Sequence, residues 1–128
     1  MARIYYSHAM CTYDTFAEAH ELAIIGKIFP THEIVDPGGY EDNQEKEIRG
    51  MDYCLELIES CDSLVYSRIL GKVTAGVGKE VEHALSLGRT VYELVGDRVN
   101  VIRKSPEWVS REQTKRLYTK WKVRNLKA

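Results

Sequence analysis

The residues best suited to chemistry sit together in Thr74-Ala75-Gly76-Val77-Gly78-Lys79-Glu80. Two nearby glycines let backbone approach a ligand closely, and a helix opening here offers unpaired amides to a polar or anionic group. The spacing is not that of a triphosphate loop, which places four residues between its glycines and a Lys-Ser/Thr pair behind them. The three-glycine dinucleotide pattern is also missing, and Glu80 would repel a triphosphate. A carboxylate in this place suits a centre that turns positive during reaction, and an oxocarbenium-like sugar carbon is the obvious one. The plainer alternative is a first-turn glutamate favoured by the helix macrodipole. Glu80 falls three after Val77 and four before Ala84, at the margin of the buried stripe, which favours the chemical reading.

Other candidates surround it. Asp52 lies four after Ile48 and three before Leu55, at the edge of an apolar stripe, so it can face the same cleft or plain solvent. Ser7 and His8 end the first β-prone run. His8 can donate to a phosphate, act as an acid on a base, or bond to backbone. Ser67, Thr74, Lys79 and the amides near Gly76 and Gly78 are further donors for an anion. Tyr5, Tyr6 and Tyr40 can stack on a base or sugar; Tyr5 and Tyr6 are adjacent on a strand and must point to opposite faces, so one belongs to the core. Cys11, Cys54 and Cys61 form no CxxC pair, and His20 and His32 have no partner at ligand spacing. Neither a disulfide framework nor a metal is expected.

These residues are positioned by alternating elements. Ile4-Tyr5-Tyr6 reads as a strand. Thr15-Phe16-Ala17-Glu18 has capping-box spacing and opens a helix expected to end near Ile25, with Gly26 behind it. Glu33-Ile34-Val35 is a second strand, ended by Asp36-Pro37-Gly38-Gly39-Tyr40. Asp42 can cap a helix whose stripe is Ile48, Met51, Leu55 and Ile58. Ser63 to Tyr66 is a third strand, and the helix carrying Glu80 follows, closed by Gly88. Val91 to Val95 is a fourth strand, Val99 to Ile102 a weaker fifth, and residues 108–122 a last amphipathic helix. The alternation predicts one α/β domain spanning 1–128, a three-layer, flavodoxin-like (Rossmann-like) fold with a mostly parallel sheet of four to five strands. Ligands in such sheets bind beyond the carboxyl ends of the strands, where Ser7, Tyr40 and Thr74 to Glu80 all fall.

Against this background, Gly76-Val77-Gly78-Lys79-Glu80-Val81-Glu82-His83-Ala84-Leu85-Ser86-Leu87-Gly88-Arg89 resembles the signature of the nucleoside 2-deoxyribosyltransferase superfamily. It is most similar to the 2′-deoxynucleoside 5′-phosphate N-hydrolase branch. The likeness covers about residues 3–95 and includes a Tyr-rich first strand and a Cys-Asp62 pair opening an apolar strand. It implies a glutamate nucleophile at Glu80 that attacks C1′ of a 2-deoxyribose and displaces the base. Water or a second base would then release the sugar. The resemblance also implies a tyrosine near the nucleophile, for which Tyr6 is the match by position, and a second carboxylate. That carboxylate's slot holds Cys54, with Asp52 the nearest acid. The branch's first loop carries an arginine for a 5′-phosphate; here Tyr6-Ser7-His8-Ala9-Met10 keeps the serine and lacks the arginine. Catalytic residues are therefore expected at Glu80, Asp52 and Tyr6, with substrate contacts at Ser7, His8, Tyr40, Thr74, Gly76 and Gly78. The expected substrate is a small-molecule nucleoside or nucleotide, with hydrolysis of a deoxynucleoside monophosphate the leading specific reading, and no cofactor is implied. Family members are often oligomers, so a homo-oligomer is expected as well.

Composition narrows the setting. The chain has 128 residues, 44% hydrophobic and 29% charged, which excludes a disordered or fibrous polypeptide. No apolar run approaches a bilayer span and no secretory h-region is present, so a cytoplasmic protein without a membrane partner is expected. The net charge of −1 conceals a division. Residues 1–97 hold 8 Lys+Arg against 17 Asp+Glu, and residues 98–128 hold 10 against 2. The basic segment reads first as a docked helix with solvated charges, and alternatively as a grip on nucleic acid. The functional readings are thus an N-glycosidase or deoxyribosyltransferase, a non-catalytic nucleotide-binding module, or a nucleic-acid-associated protein.

Overall fold

A computed structural model describes residues 1–39 and 49–126; Tyr40, Asp42 and Ile48 lie outside the described residues. The elements run β1 (Arg3–Ser7), α1 (Phe16–Ile28), β2 (Glu33–Val35), α2 (Met51–Glu59), β3 (Ser63–Tyr66), α3 (Ala75–Ser86), β4 (Thr90–Val95), β5 (Arg98–Ile102) and α4 (Arg111–Leu126). The expected α/β architecture is present: a five-stranded sheet in the order β2-β1-β3-β4-β5, parallel except for the β4–β5 pair. Gly96, with φ +63°, makes the tight turn that brings β5 back antiparallel. Because β1 lies between β2 and β3, the chain leaves it in one direction and later returns on the other side. That reversal opens a crevice at the carboxyl ends of β1 and β3.

The two faces of the sheet have separate cores. Tyr5, Leu64, Tyr66 and Val91 meet Cys54 and Ile58 of α2 and Val77, Val81 and Ala84 of α3. Ile4, Tyr6 and Val65 turn the other way, against Ile25 of α1 and Phe29. Period-two alternation along β1 and β3 produces this split.

Local chemistry explains most boundaries and corrects two. Thr15 caps α1 by accepting from the Glu18 amide at 3.4 Å. The reciprocal half of the capping box differs: Glu18 accepts from the Asp14 amide instead. Gly26 does not end α1, which runs through it to Ile28, with the Phe29 amide bonding back to the Ile25 carbonyl at 2.8 Å. Apolar contacts of Ile25, Ile28 and Phe29 hold that last turn, and Pro30 then stops it. Gly88 (φ +73°) ends α3 as expected, where the Arg89 amide reaches the Ala84 carbonyl at 3.0 Å.

The last helix begins at Arg111, not near 108. Trp108 precedes it and lies on the α2–α3 core, while the Val109 amide donates to the Val73 carbonyl at 2.9 Å. From there α4 crosses the carboxyl ends of the strands. Thr114 is buried, and Leu117, Tyr118 and Trp121 are half-buried beneath it. Among the described residues no helix is long and apolar enough to cross a membrane.

Candidate active site

Beyond the ends of β1 and β3 lies a cavity of about 390 Å³, with Glu80 in its wall. The glutamate sits in the second turn of α3 and is 6% exposed. A buried carboxylate needs donors, and β1 supplies two. The Tyr5 hydroxyl donates to Glu80 Oε2 at 2.5 Å, and Ser7 Oγ donates to Oε1 at 2.6 Å. Residues two apart on a strand share a face, so Tyr5 and Ser7 both reach α3. Burial, then the neighbouring charge of Glu80, push the Tyr5 hydroxyl well above its ordinary range, which keeps it a proton donor. Each oxygen of the carboxylate is thereby fixed in place while the group still borders the cavity.

The start of α3 is fixed as firmly. Thr74, buried and bordering the cavity, caps the helix by accepting from the Val77 amide at 3.4 Å. The Ala75 amide donates to Thr114 Oγ1 of α4 at 3.0 Å. Gly76 borders the cavity, and a side chain there would find only Met51 Cε, at 3.7 Å.

Several expected residues take other places. Tyr6 is not beside Glu80: it points to the α1 face and donates to the Glu21 carboxylate, so the tyrosine on Glu80 is Tyr5. Strand alternation requires the two to part, and the position of α3 decides which goes where. Asp52 is exposed on α2 and does not border the cavity; Met51 and the buried Cys54 do. Helical spacing turns Asp52 outward, because the inward stripe of this helix passes through Cys54 and Ile58. Gly78 makes no room for a ligand either. A Cβ there would lie 2.3 Å from the Trp108 ring, so its missing side chain serves packing. Ser7 is engaged by Glu80, and Tyr40 is outside the described residues.

His8 borders the cavity, and both of its nitrogens are engaged by protein groups. The ring lies flat on Tyr6, with centroids 3.7 Å apart. Nδ1 faces the Tyr6 carbonyl at 3.2 Å, and Nε2 faces Glu18 Oε2 at 2.6 Å with Asp36 Oδ1 at 3.7 Å. Such a set, with ligand atoms all within 4.8 Å, is the one among the described residues that could hold a small cation. A proton on His8 Nε2 satisfies the same carboxylates. No sequence spacing betrays it, since β1, α1 and β2 bring positions 8, 18 and 36 together from separate segments.

Three lining residues were not legible in the sequence: Met10, Tyr13 and Tyr118. Tyr118 comes from α4, and its hydroxyl accepts from the Met10 amide at 3.3 Å, which ties the helix to the loop after β1. Burial pushes the Tyr13 hydroxyl far up, so it too stays protonated. The result is a cavity with aromatic and thioether walls and one held carboxylate. That is a shape suited to a flat apolar-faced group presented beside an anion. Comparison with protein-family models and with curated proteins finds no match to the chain.

Proposed function

We propose that this protein is an N-glycosidase that cleaves the base–sugar bond of a nucleoside through Glu80. The observation that carries the reading is the carboxylate itself: buried, held by Tyr5 and Ser7, and bordering a cavity large enough for a nucleoside. In the first step an oxygen of Glu80 bonds to C1′ as the C1′–N bond breaks. The base leaves with the bonding electron pair and takes a proton from water. In the second step water adds its oxygen to C1′ and gives a proton to the hydroxide left by the first step, the ester bond to Glu80 breaks, and the carboxylate is restored. A second nucleobase in place of water would make the reaction a deoxyribosyl transfer. The hydroxyl donors prevent Glu80 from turning away between steps, and Tyr13 and Tyr118 provide rings for the base.

The unphosphorylated nucleoside is favoured over the 5′-monophosphate because most of the expected phosphate donors are engaged elsewhere, which leaves Thr74 and Gly76 at the cavity wall. Ser7 is on Glu80, Ser67 donates to Glu21 at 2.7 Å, and the Ala75 amide is on Thr114. Lys79 is exposed and outside the cavity lining. The test is base release from deoxynucleosides, ribonucleosides and their monophosphates, followed by chromatography. Wild-type protein should release base, faster from nucleosides, while Glu80→Gln should fold normally and release none. Equal turnover by Glu80→Gln would sink the proposal. The exposed Asp52 and the Cys54 in the second carboxylate's slot favour one other reading, a nucleoside-binding module without turnover. Ligand-induced thermal stabilisation with no product in any assay would select it.

A further inference from the structure

The outer face of α4 carries a charge pattern that the cavity does not use. Arg116, Lys120 and Arg124 recur every four residues and so form one stripe, with steps of about 6 Å along the axis. The three line adjoining surface grooves: Arg116 and Lys120 share one with Lys72, and all three share another with Leu70. Lys72 is brought there by the tight turn Ile69–Lys72, closed at 2.8 and 3.0 Å, in which both Leu70 (φ 48°) and Gly71 (φ 75°) are left-handed. A leucine held in that region is uncommon and costs backbone strain, so the turn is built against its local preference. Around the helix from Lys120 and Arg124, a further groove is lined by Arg124 and the half-buried Trp121, together with Arg68, Ser67 and the Glu21 carboxylate.

None of Arg111, Lys115, Arg116, Lys120, Lys122 and Arg124 is ion-paired with a carboxylate among the described residues. Among the described residues no carboxylate neutralises these cations. We infer that the Lys72–Arg116–Lys120–Arg124 stripe is a binding track for the phosphodiester backbone of a single-stranded nucleic acid, with Trp121, in the groove alongside it, as a stacking face for a base. The i, i+4, i+8 step is comparable to the separation of successive phosphates along a strand. An aromatic alongside the track is what a nucleobase needs and a carboxylate surface does not. The local field governs because charges farther than roughly 8 Å are screened at physiological salt. A net charge of −1 is therefore no obstacle.

The test is fluorescence anisotropy of a labelled twelve-nucleotide single strand against the full chain at 50 and 200 mM salt. Binding should weaken steeply with salt. In the triple variant Arg116→Gln, Lys120→Gln, Arg124→Gln, affinity should fall at least tenfold and the log–log salt slope should become shallower by roughly 2. Trp121→Ala should cost roughly fivefold or more, and Lys27→Gln on α1 should change nothing. Thermal melts of each variant establish folding. Absence of binding at 50 mM salt overturns the proposal. So does an equal affinity for inorganic polyphosphate of the same charge, which would leave Trp121 without a role. Sedimentation showing a wild-type oligomer that the triple variant dissociates, without oligonucleotide binding, would assign the stripe to a second copy's acidic surface instead.

Discussion

Glu80 depends on which of two adjacent tyrosines faces it. The Tyr5 hydroxyl and Ser7 Oγ hold its two oxygens, whereas Tyr6 holds Glu21 across the sheet. Hydrogen bonds to a charged group are worth about 1.5–3 kcal/mol. Tyr5→Phe should thus lower base release roughly tenfold or more and also cost about 1.5–3 kcal/mol of stability in urea denaturation, while Tyr6→Phe should spare turnover. The sequence fixes that these rings part but not their sides, since that depends on which helix crosses over which face. The same holds for Asp52 and Cys54, where two positions on one helix decide between solvent and cavity. A second side-chain cluster makes a pH-dependent contribution. Burial tends to raise the Glu93 carboxyl, but the Tyr66 hydroxyl at 2.5 Å and Arg68 at 3.1 Å outweigh it and hold its pKa below the ordinary value. A depressed folded value means stability that is present above the unfolded pKa and lost as pH falls through the folded one. Arg68 is partly exposed and solvent-screened, so Arg68→Gln should cost about 0.5–1 kcal/mol near pH 7. In urea denaturation the gap between variant and wild type should close as pH is lowered below the carboxylate range.

Among elements, the contact of α3 with the segment before α4 is the tightest to depend on one atom. A Cβ on Gly78 would stand 2.3–2.4 Å from three atoms of the Trp108 ring. Gly78→Ala should destabilise the fold by about 1–3 kcal/mol, and Trp108→Leu in the same chain should recover part of the loss. A glycine near a helix start has two explanations, close approach of a ligand or of a side chain, and they are identical in a local window. Residues thirty positions downstream choose between them, which is why Gly78 reads as a ligand contact in the sequence and as a packing contact in the fold. Element types were legible wherever period, capping or a β-prone run was strong: Thr15 for α1, Gly88 for the end of α3, short apolar runs for the central strands; the Thr74 cap of α3 was not. The end of α1 was not, because packing of Ile28 and Phe29 against the sheet overrides the break that Gly26 suggests.

For the molecule as a whole, the cavity couples to stability through whatever fills it. A nucleoside that binds the folded chain alone, at 100 times its dissociation constant, stabilises it by about 2.7 kcal/mol. Glu80→Gln should show that shift without consuming the ligand, and the measurement is a melt at increasing nucleoside concentration. The division of charge noted along the sequence persists in three dimensions, with α4 standing as a basic ridge over the carboxyl ends of the strands, its cations without an ion pair among the described residues. The sheet is complete at Ile102, yet Trp108, Thr114 and Tyr118 supply the seat on α3, the partner of its Ala75 amide and one wall of the cavity. The strands can thus all be present while the opening beside Glu80 is still unfinished: these residues, all later than the sheet, are what complete it.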